Sequence, residues 1–469
     1  MSKYSWFIIQ YCEVNTLEAL LKINNCIHSA VWGNGMVVFM LAVGIFFTVF
    51  TGFFQFVRFK DIMKNTVGSL FGKKNNASGI TPFQAVSTAL AGTIGTGNIA
   101  GVATAITLGG AGAIFWMWIS GIFGMMTKYA EVLLAVRFRK ADGKHGFSGG
   151  PMYYMEYGLS SKTLGIIFSV LCIAASFGTG NMAQSNSIAD ALLTAFLIPP
   201  EISGIILAAV CALIIAGGAP RIARFSEIIV PFMAIFYLTG AVIFLVYNRS
   251  CIPAALNLII NGAFTPGGAF GGIAGSAVRY GISRGIFTNE AGMGSAPIAH
   301  GSADTDSPVR QGMWGIFEVF LDTIVVCTVT ALVILTADGG KFYTCGMSGV
   351  PLTSGAFSTL YGSFGASFIS VAVVFFALAS ILGWAFYGQK SVEYITKKRL
   401  WLSVYRVVFI GFVFLGAISD LELAWSISDT LNGLMAIPNL TAVLLLSPIV
   451  FRLTRKYRRG TTSRGKKNL

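Results

Sequence analysis

Ala91-Gly92-Thr93-Ile94-Gly95-Thr96-Gly97-Asn98-Ile99-Ala100-Gly101 lies in the middle of an apolar segment, where an ordinary membrane helix carries Leu and Val. Glycines at 92, 95, 97 and 101, with Thr93, Thr96 and Asn98 between them, read as a helix broken inside the bilayer. Backbone without helical hydrogen bonds is tolerated at that depth only where it lines a polar cavity or is buried in protein, so the break points to a binding site. A second break of the same kind follows about 190 residues later, in Gly271-Gly272, Gly275, Gly281 and then Ser283-Arg284-Gly285-Ile286-Phe287-Thr288-Asn289-Glu290-Ala291-Gly292-Met293-Gly294-Ser295. Two interrupted spans at matching places in two halves of a chain are the pattern of a secondary transporter.

With 55% hydrophobic and 11% charged residues among 469, and a mean hydropathy of +0.72, the chain carries more apolar side chain than a soluble core can bury. It reads as an all-α integral membrane protein. Mostly apolar windows long enough to cross roughly 30 Å of hydrocarbon predict about eleven transmembrane helices. They fall at 34–57, 81–108 (broken), 112–136, 163–191, 202–218, 226–247, 268–299 (broken), 312–336, 364–388, 402–419 and 423–451. No basic n-region with a small-residue cleavage site opens the chain, so the first 33 residues are read as an external segment rather than a signal peptide. Within it, Leu17 to Val31 reads equally as an interfacial helix or a loosely ordered tail.

Lys and Arg set the orientation. With the basic tail 452–469 in the cytoplasm, the loops bearing Arg58–Lys74, Arg137–Lys144, Arg221/Arg224 and Lys390–Arg399 are cytoplasmic too, and the opposite loops carry only Arg249 and Lys341. That asymmetry predicts a multi-pass protein with its amino terminus outside. The net charge of +14 is explained by anionic lipid and needs no nucleic acid. Of seven cysteines, Cys172, Cys211 and Cys327 fall in spans as small hydrophobes, whereas a disulfide among the outward Cys12, Cys26, Cys251 and Cys345 stays open.

Ten spans divide into two sets of five, 81–247 and 268–451, each opening on a broken helix. An odd number per set turns the second upside down relative to the first, an inverted repeat. The span at 34–57 lies outside it as a peripheral helix. The outer segment Gly339–Phe364 is long enough to cap a vestibule, and the tail after Phe451 is expected to be a disordered anchor at the membrane surface.

Where a helix is interrupted, one half presents unpaired N–H groups and the other unpaired carbonyls, a pair matched to a zwitterion. N–H groups around Thr96, Gly97 and Asn98 are expected to take an amino-acid carboxylate, and carbonyls near Phe287–Asn289 its ammonium group. Freed carbonyls and a hydroxyl also suit an alkali cation, and the ninth span offers Ser380. Gln184 lies in a polar run, Ser176 to Gln184, and Phe177 is seven residues earlier on the same helical face; both are read as facing the ligand. Glu290 and Arg284 serve equally as a gate or an internal pair. Lys128 and Glu131, three apart, are read as a local pair near a helix end with Lys128 snorkelling. Trp384, inside its span, is a candidate pocket wall that favours small side chains. Three scattered histidines, with no HExxH, nucleophile elbow, nucleotide fingerprint or Walker Lys, argue against an enzyme or an ATP-driven pump.

At these residues the chain resembles the alanine/glycine:cation symporter family of prokaryotic amino-acid carriers. The likeness is carried by Gly92–Gly101, Gly149–Met152, Thr288–Pro297, Asp322–Cys327, Ile381–Trp384 and Asn432–Asn439, spread over about 81 to 450. It implies a leucine-transporter-type core of five plus five inverted helices with one extra amino-terminal helix, working by alternating access in a prokaryotic inner membrane. It implies sodium-coupled symport of alanine and glycine, with sodium as the co-transported ion and no cofactor. Carried over by motif, Thr96, Gly97 and Asn98 contact the substrate carboxylate, and Phe177, Gln184, Met293 and Trp384 line the side-chain pocket beside Thr288. Sodium is placed between carbonyls of Ala91 and Ile94 and the Ala379/Ser380 turn. The family usually has two adjacent hydroxyls where this chain has Ala379-Ser380, and an acidic residue where it has Gln389, so sodium against proton coupling stays open. A proton-coupled or uncoupled carrier of another small solute, or a sensor that binds without transporting, are the alternatives. The sequence leaves the oligomeric state open.

Overall fold

In hydrocarbon only a helix satisfies every backbone N–H and C=O within one segment, and a chain this apolar is helical almost throughout. The structure is a computed structural model that describes residues 22–71, 79–142, 146–264, 273–419 and 422–465. In chain order the principal helices are α1 (Lys22–Phe50), α2 (Pro82–Thr93), α3 (Ala100–Gly109) and α4 (Ala113–Arg137). A small hairpin, Lys140–Ala141 against Phe147–Ser148, leads to α5 (Pro151–Gly158). Then come α6 (Lys162–Phe196), α7 (Pro200–Ile215), α8 (Gly218–Tyr247), α9 (Ile252–Ala263), α10 (Ile273–Asn289) and α11 (Ala296–His300). The chain ends with α12 (Pro308–Gly340), α13 (Gly349–Tyr361), α14 (Ser363–Ile395), α15 (Arg399–Ile418), α16 (Glu422–Leu445) and α17 (Ser447–Gly465).

Among the described residues, seven helices are long and apolar enough to cross a membrane, and eight if the pair bent by 57° at α16/α17 counts as one span. The sequence reading of about eleven differs through α2 with α3 and α10 with α11, whose halves are individually too short, and through the 16 residues of α7. The interrupted pair α2/α3 starts on a reciprocal cap: Gln84 N donates to Thr81 Oγ1 (3.1 Å) and Thr81 N to Gln84 Oε1 (3.0 Å), with Pro82 as the first helical residue. Around the two interrupted pairs pack α4, α12 and α14. Helix α14 is buried along most of its length, including Phe376, Trp384 and Tyr387.

One expectation changes and two segments gain a defined structure. The basic tail is helical: α17 begins at Ser447, Thr454 on it bonds Tyr129 of α4 at 2.8 Å, and Arg458 donates to the Thr51 carbonyl. The part of the Leu17–Val31 segment inside the described residues is the first stretch of α1, bent at Gly33, and Trp32 donates to the Asp429 carbonyl at 2.9 Å. The outer Gly339–Phe364 segment folds into α13, which packs on α3; Thr353 Oγ1 donates to the Ile99 carbonyl at the break (3.2 Å). Cys26, Cys251 and Cys345 are unpaired thiols, and Cys12 lies outside the described residues, as do Gly271 and Gly272.

Candidate substrate and cation site

Helix α2 stops because Ile94 and Gly95 are extended (φ −78°, ψ 91° and φ −129°, ψ −158°) before a single tight turn at Thr96–Asn98. Helical geometry would send the Gly95 N–H to Ala91 and the Asn98 N–H to Ile94. Instead Gly95 N donates to Asn98 Oδ1 (3.0 Å) and Asn98 N to the Gly95 carbonyl (3.2 Å). The carbonyls of Ala91 and Ile94 are thereby released from the helical ladder. Thr96 and Gly97 open the new turn, where N–H groups have no helical acceptor.

The second break is tighter. Glu290 adopts a left-handed conformation (φ 52°), followed by Gly292 (φ 95°) and Gly294 (φ 83°), where glycine carries no steric cost. Asn289 holds the turn: its Oδ1 accepts from Ala291 N (3.0 Å) and its Nδ2 donates to Thr323 Oγ1 (3.2 Å). A left-handed Glu in a buried turn is strain kept by its surroundings; the Ser295 hydroxyl bonds its carboxylate.

The two breaks face each other across a small cavity lined by Gly92, Thr93, Gly95, Gly97, Thr179, Gln184, Phe287, Thr288, Glu290, Ser380, Trp384 and Asn432. Its volume, about 20 Å³, is room for roughly one water. Thr96 Oγ1 donates to Gln184 Oε1 (3.2 Å), and Gln184 Nε2 to the Thr179 carbonyl (3.1 Å), inside a widened π-type turn at Gly178–Met182. That turn has room for Trp384 only because residue 180 is glycine: a Cβ there would overlap the indole. Gly383 sits on the backbone of Ala91 and Gly92, which brings Ser380 to Gly95. The Ser380 hydroxyl is buried with no hydrogen-bond partner among the described residues, and so is Asn432 Oδ1. Orphaned buried polar atoms of this kind are costly and mark places where a ligand completes the bonding.

Of the predicted residues, Gly97, Gln184, Thr288, Trp384 and Ser380 meet at the cavity, with Thr96 joined through Gln184. Thr288 turns its hydroxyl back to the Gly285 carbonyl (2.9 Å) and its methyl toward Gly97. Ala91, Ile94 and Ala379 are fully buried beside the cavity, so Ala91 and Ile94 can contribute only backbone. Three residues stand elsewhere. Asn98 is turned away: Nδ2 donates to Asp322 Oδ1 (2.6 Å) and contacts Cys327 Sγ (3.3 Å), so its side chain ties the break to α12. Phe177 packs edge-on or tilted against Tyr405, Phe409 and Phe412 of α15 at centroid distances of 5.4, 5.8 and 5.1 Å. Met293 is buried in the apolar core. Thr93, Thr179, Glu290 and Asn432 also line the cavity without having been assigned to it, although the first three lie within the two breaks and the polar run.

Lys128 and Glu131 do not form the expected local pair. Lys128 is fully buried and reaches Glu318 of α12 across helices (3.5 Å), while Glu131 accepts from Asn439 of α16. Toward the Lys/Arg-rich end a wide vestibule of about 950 Å³ opens, lined among others by Gln84, Lys140, Arg224, Ser302, Lys390 and Arg406.

Two interrupted helices meeting at an enclosed polar pocket in an all-helical, multi-pass membrane bundle define a secondary transporter. The profile of the sodium:alanine symporter family matches residues 17–469, and the chain belongs to that family. It is 45% identical over 439 residues to the sodium/alanine symporter AgcS of Methanococcus maripaludis, a match covering 92% of this chain and 96% of that one. It is 43% identical over 450 residues, 94% and 96% of the two chains, to an uncharacterized transporter of Haemophilus influenzae. Among solved structures, MhsT in complex with L-phenylalanine superposes with a TM-score of 0.55 at 15% identity over 77% of this chain and 88% of that one. At that identity the likeness carries the fold alone, which is of the leucine-transporter type. The chain is thus an amino-acid:cation symporter by family, and not an enzyme.

Proposed function

We propose that the protein carries alanine or glycine into a prokaryotic cytoplasm together with sodium, by alternating access in the inner membrane, with its amino terminus outside. The observation that carries this reading is the orphaned Ser380 hydroxyl set against Gly95, in the break that releases the Ala91 and Ile94 carbonyls from the helical ladder. Hard oxygens of that kind suit an alkali cation, and N–H groups one turn away suit a carboxylate. Trp384 and Phe287 wall a cavity with room for about one water, so the amino acid enters only as the pocket widens, and a short side chain needs the least widening. Ala379 contributes a methyl where a second hydroxyl would strengthen the cation site, which keeps a proton-coupled carrier as the second reading. On the same view 81–247 and 268–451 are the two inverted five-helix repeats, 1–33 an external segment, 34–57 a peripheral span and 452–469 the cytoplasmic tail. The vestibule with its basic lining then faces the cytoplasm.

Uptake of labelled alanine into proteoliposomes tests the reading under sodium, potassium and proton gradients imposed in turn. Accumulation driven by sodium alone is expected; accumulation driven by protons would transfer the coupling to the second reading, and none under any gradient would remove the substrate. Ser380→Ala should raise the sodium concentration for half-maximal uptake about tenfold, the loss of one ligand worth about 1.4 kcal/mol. The alanine requirement measured at saturating sodium should change much less. An unchanged sodium curve would exclude Ser380 from the cation site.

A further inference from the structure

A cluster of ionisable side chains, apart from the amino-acid pocket, lies buried where α4, α11 and α12 meet. Glu318 of α12 is held on one side by Lys128 Nζ of α4 (3.5 Å to Oε1) and on the other by His300 Nε2 of α11 (2.8 Å to Oε2), and all three are fully buried. His300 Nδ1 faces Gln311 Nε2 at 2.9 Å. Glu131 of α4, Glu290 beside α10 and Asp322 of α12 all feel the charge of Lys128. The remaining titratable neighbours are Tyr154 of α5 near Glu131, Tyr387 of α14 near Glu290 and Glu318, and Cys172 of α6 near Glu290. Four carboxyl groups thus share one lysine among the described residues, all of them buried. A carboxylate away from water persists only when neutralised, so these groups call for a further cation or a proton.

Unpartnered atoms point into this space. Lys128 Nζ, Glu318 Oε1, Glu131 Oε2 and Gln311 Oε1 are all buried without a hydrogen bond among the described residues. The Gln311 orphan matters most. An amide N–H donating to Nδ1 suits the ring tautomer whose proton sits on Nε2, toward Glu318. Turned over, the same amide presents Oε1 to an N–H at Nδ1 and accommodates the imidazolium. The partner of His300 therefore suits either protonation state.

The cluster also links the pocket to the vestibule. Glu290 lines the pocket, and Ser302, two residues beyond His300, lines the vestibule with its basic rim.

We infer that His300 and Glu318 form a proton-binding site that is loaded from the vestibule, a second ion site of the transporter distinct from the sodium and amino-acid pocket. A proton from vestibule water lands on His300 Nδ1, Gln311 turns to accept it, and the resulting imidazolium bridges to Glu318 while offsetting the unpaired carboxylates. Release returns the proton to water when α11 moves and the neutral imidazole is restored.

The chain has three histidines, so NMR of imidazole-labelled, full-length protein in nanodiscs identifies the His300 signal by its loss in His300→Gln. A reversible titration of that signal between about pH 5 and about pH 9 is expected, shifted or abolished in Glu318→Gln. A signal that does not titrate, or that titrates identically in Glu318→Gln, overturns the proposal. This readout needs no substrate, so it stands even if alanine proves the wrong cargo. In proteoliposomes with fixed, saturating sodium and alanine, wild-type uptake should change at least about fivefold across the same pH range and His300→Gln less than about twofold. Equal pH profiles in the two would likewise overturn it. If Glu318→Gln fails to fold, the Lys128→Met/Glu318→Gln pair, which removes both charges together, takes its place.

Discussion

Asn98→Leu is expected to destabilise the protein by about 3 kcal/mol and to abolish uptake, because the Asn98 amide satisfies two buried groups at once. Its Oδ1 accepts the Gly95 N–H, which fixes the extended backbone of the break, and its Nδ2 donates to Asp322 Oδ1 at 2.6 Å. Leucine leaves a backbone donor and a carboxylate oxygen unpaired inside the membrane, and an uncompensated buried charge costs more than the bond that held it is worth. Thermal unfolding in detergent measures the loss. Asn98→Leu with Asp322→Leu removes both partners of the longer-range bond and should recover most of the stability. It should not recover transport, since Gly95 stays without its acceptor. A single variant as stable as the wild type would mean that the tie to α12 carries little weight.

The site was legible where chemistry contradicted its surroundings, and illegible where it depended on direction. Glycines and threonines at 92–101 stand out from the apolar run, so the break and the residues Thr96 and Gly97 could be read from composition. Which way Asn98 points could not, because a break erases the helical phase that relates neighbouring side chains. Phe177 and Gln184 show the same limit in another form. Their spacing of seven places them on one face of a regular helix, but the π-type turn at Gly178–Met182 adds a residue between them and rotates one relative to the other. Gln184 consequently reaches the cavity while Phe177 turns to α15. Lys128 and Glu131 have the spacing of a local pair, yet the close approach of α4 to α12 gives Lys128 a partner 190 positions away in sequence (318 − 128). The helical tail was missed for a plainer reason: its charge suggested a solvated anchor, whereas a few residues such as Thr454 find partners on α4.

Trp384→Ala is expected to change what the transporter accepts. The indole is fully buried, lies against Gly180 with no space for a Cβ between them, and meets the Tyr387 ring at 5.6 Å and 70°. Removing it should cost about 3–5 kcal/mol of stability and leave a pocket with room for a larger apolar side chain. Competition against labelled alanine should then show leucine or methionine gaining between about tenfold and about 200-fold relative to wild type, the range available from a change of hydrophobic pocket volume. Gly180→Ala makes the converse change: the added methyl drives the indole into a cavity of about 20 Å³ and should eliminate alanine uptake. Combining the two tests whether they act on one another, because a methyl at 180 has nothing to strike once the indole is gone. Uptake restored in the double variant would identify the Gly180–Trp384 contact as the wall that limits side-chain size. A substrate range unaltered by Trp384→Ala would place that wall elsewhere, with Phe287 the next residue to truncate.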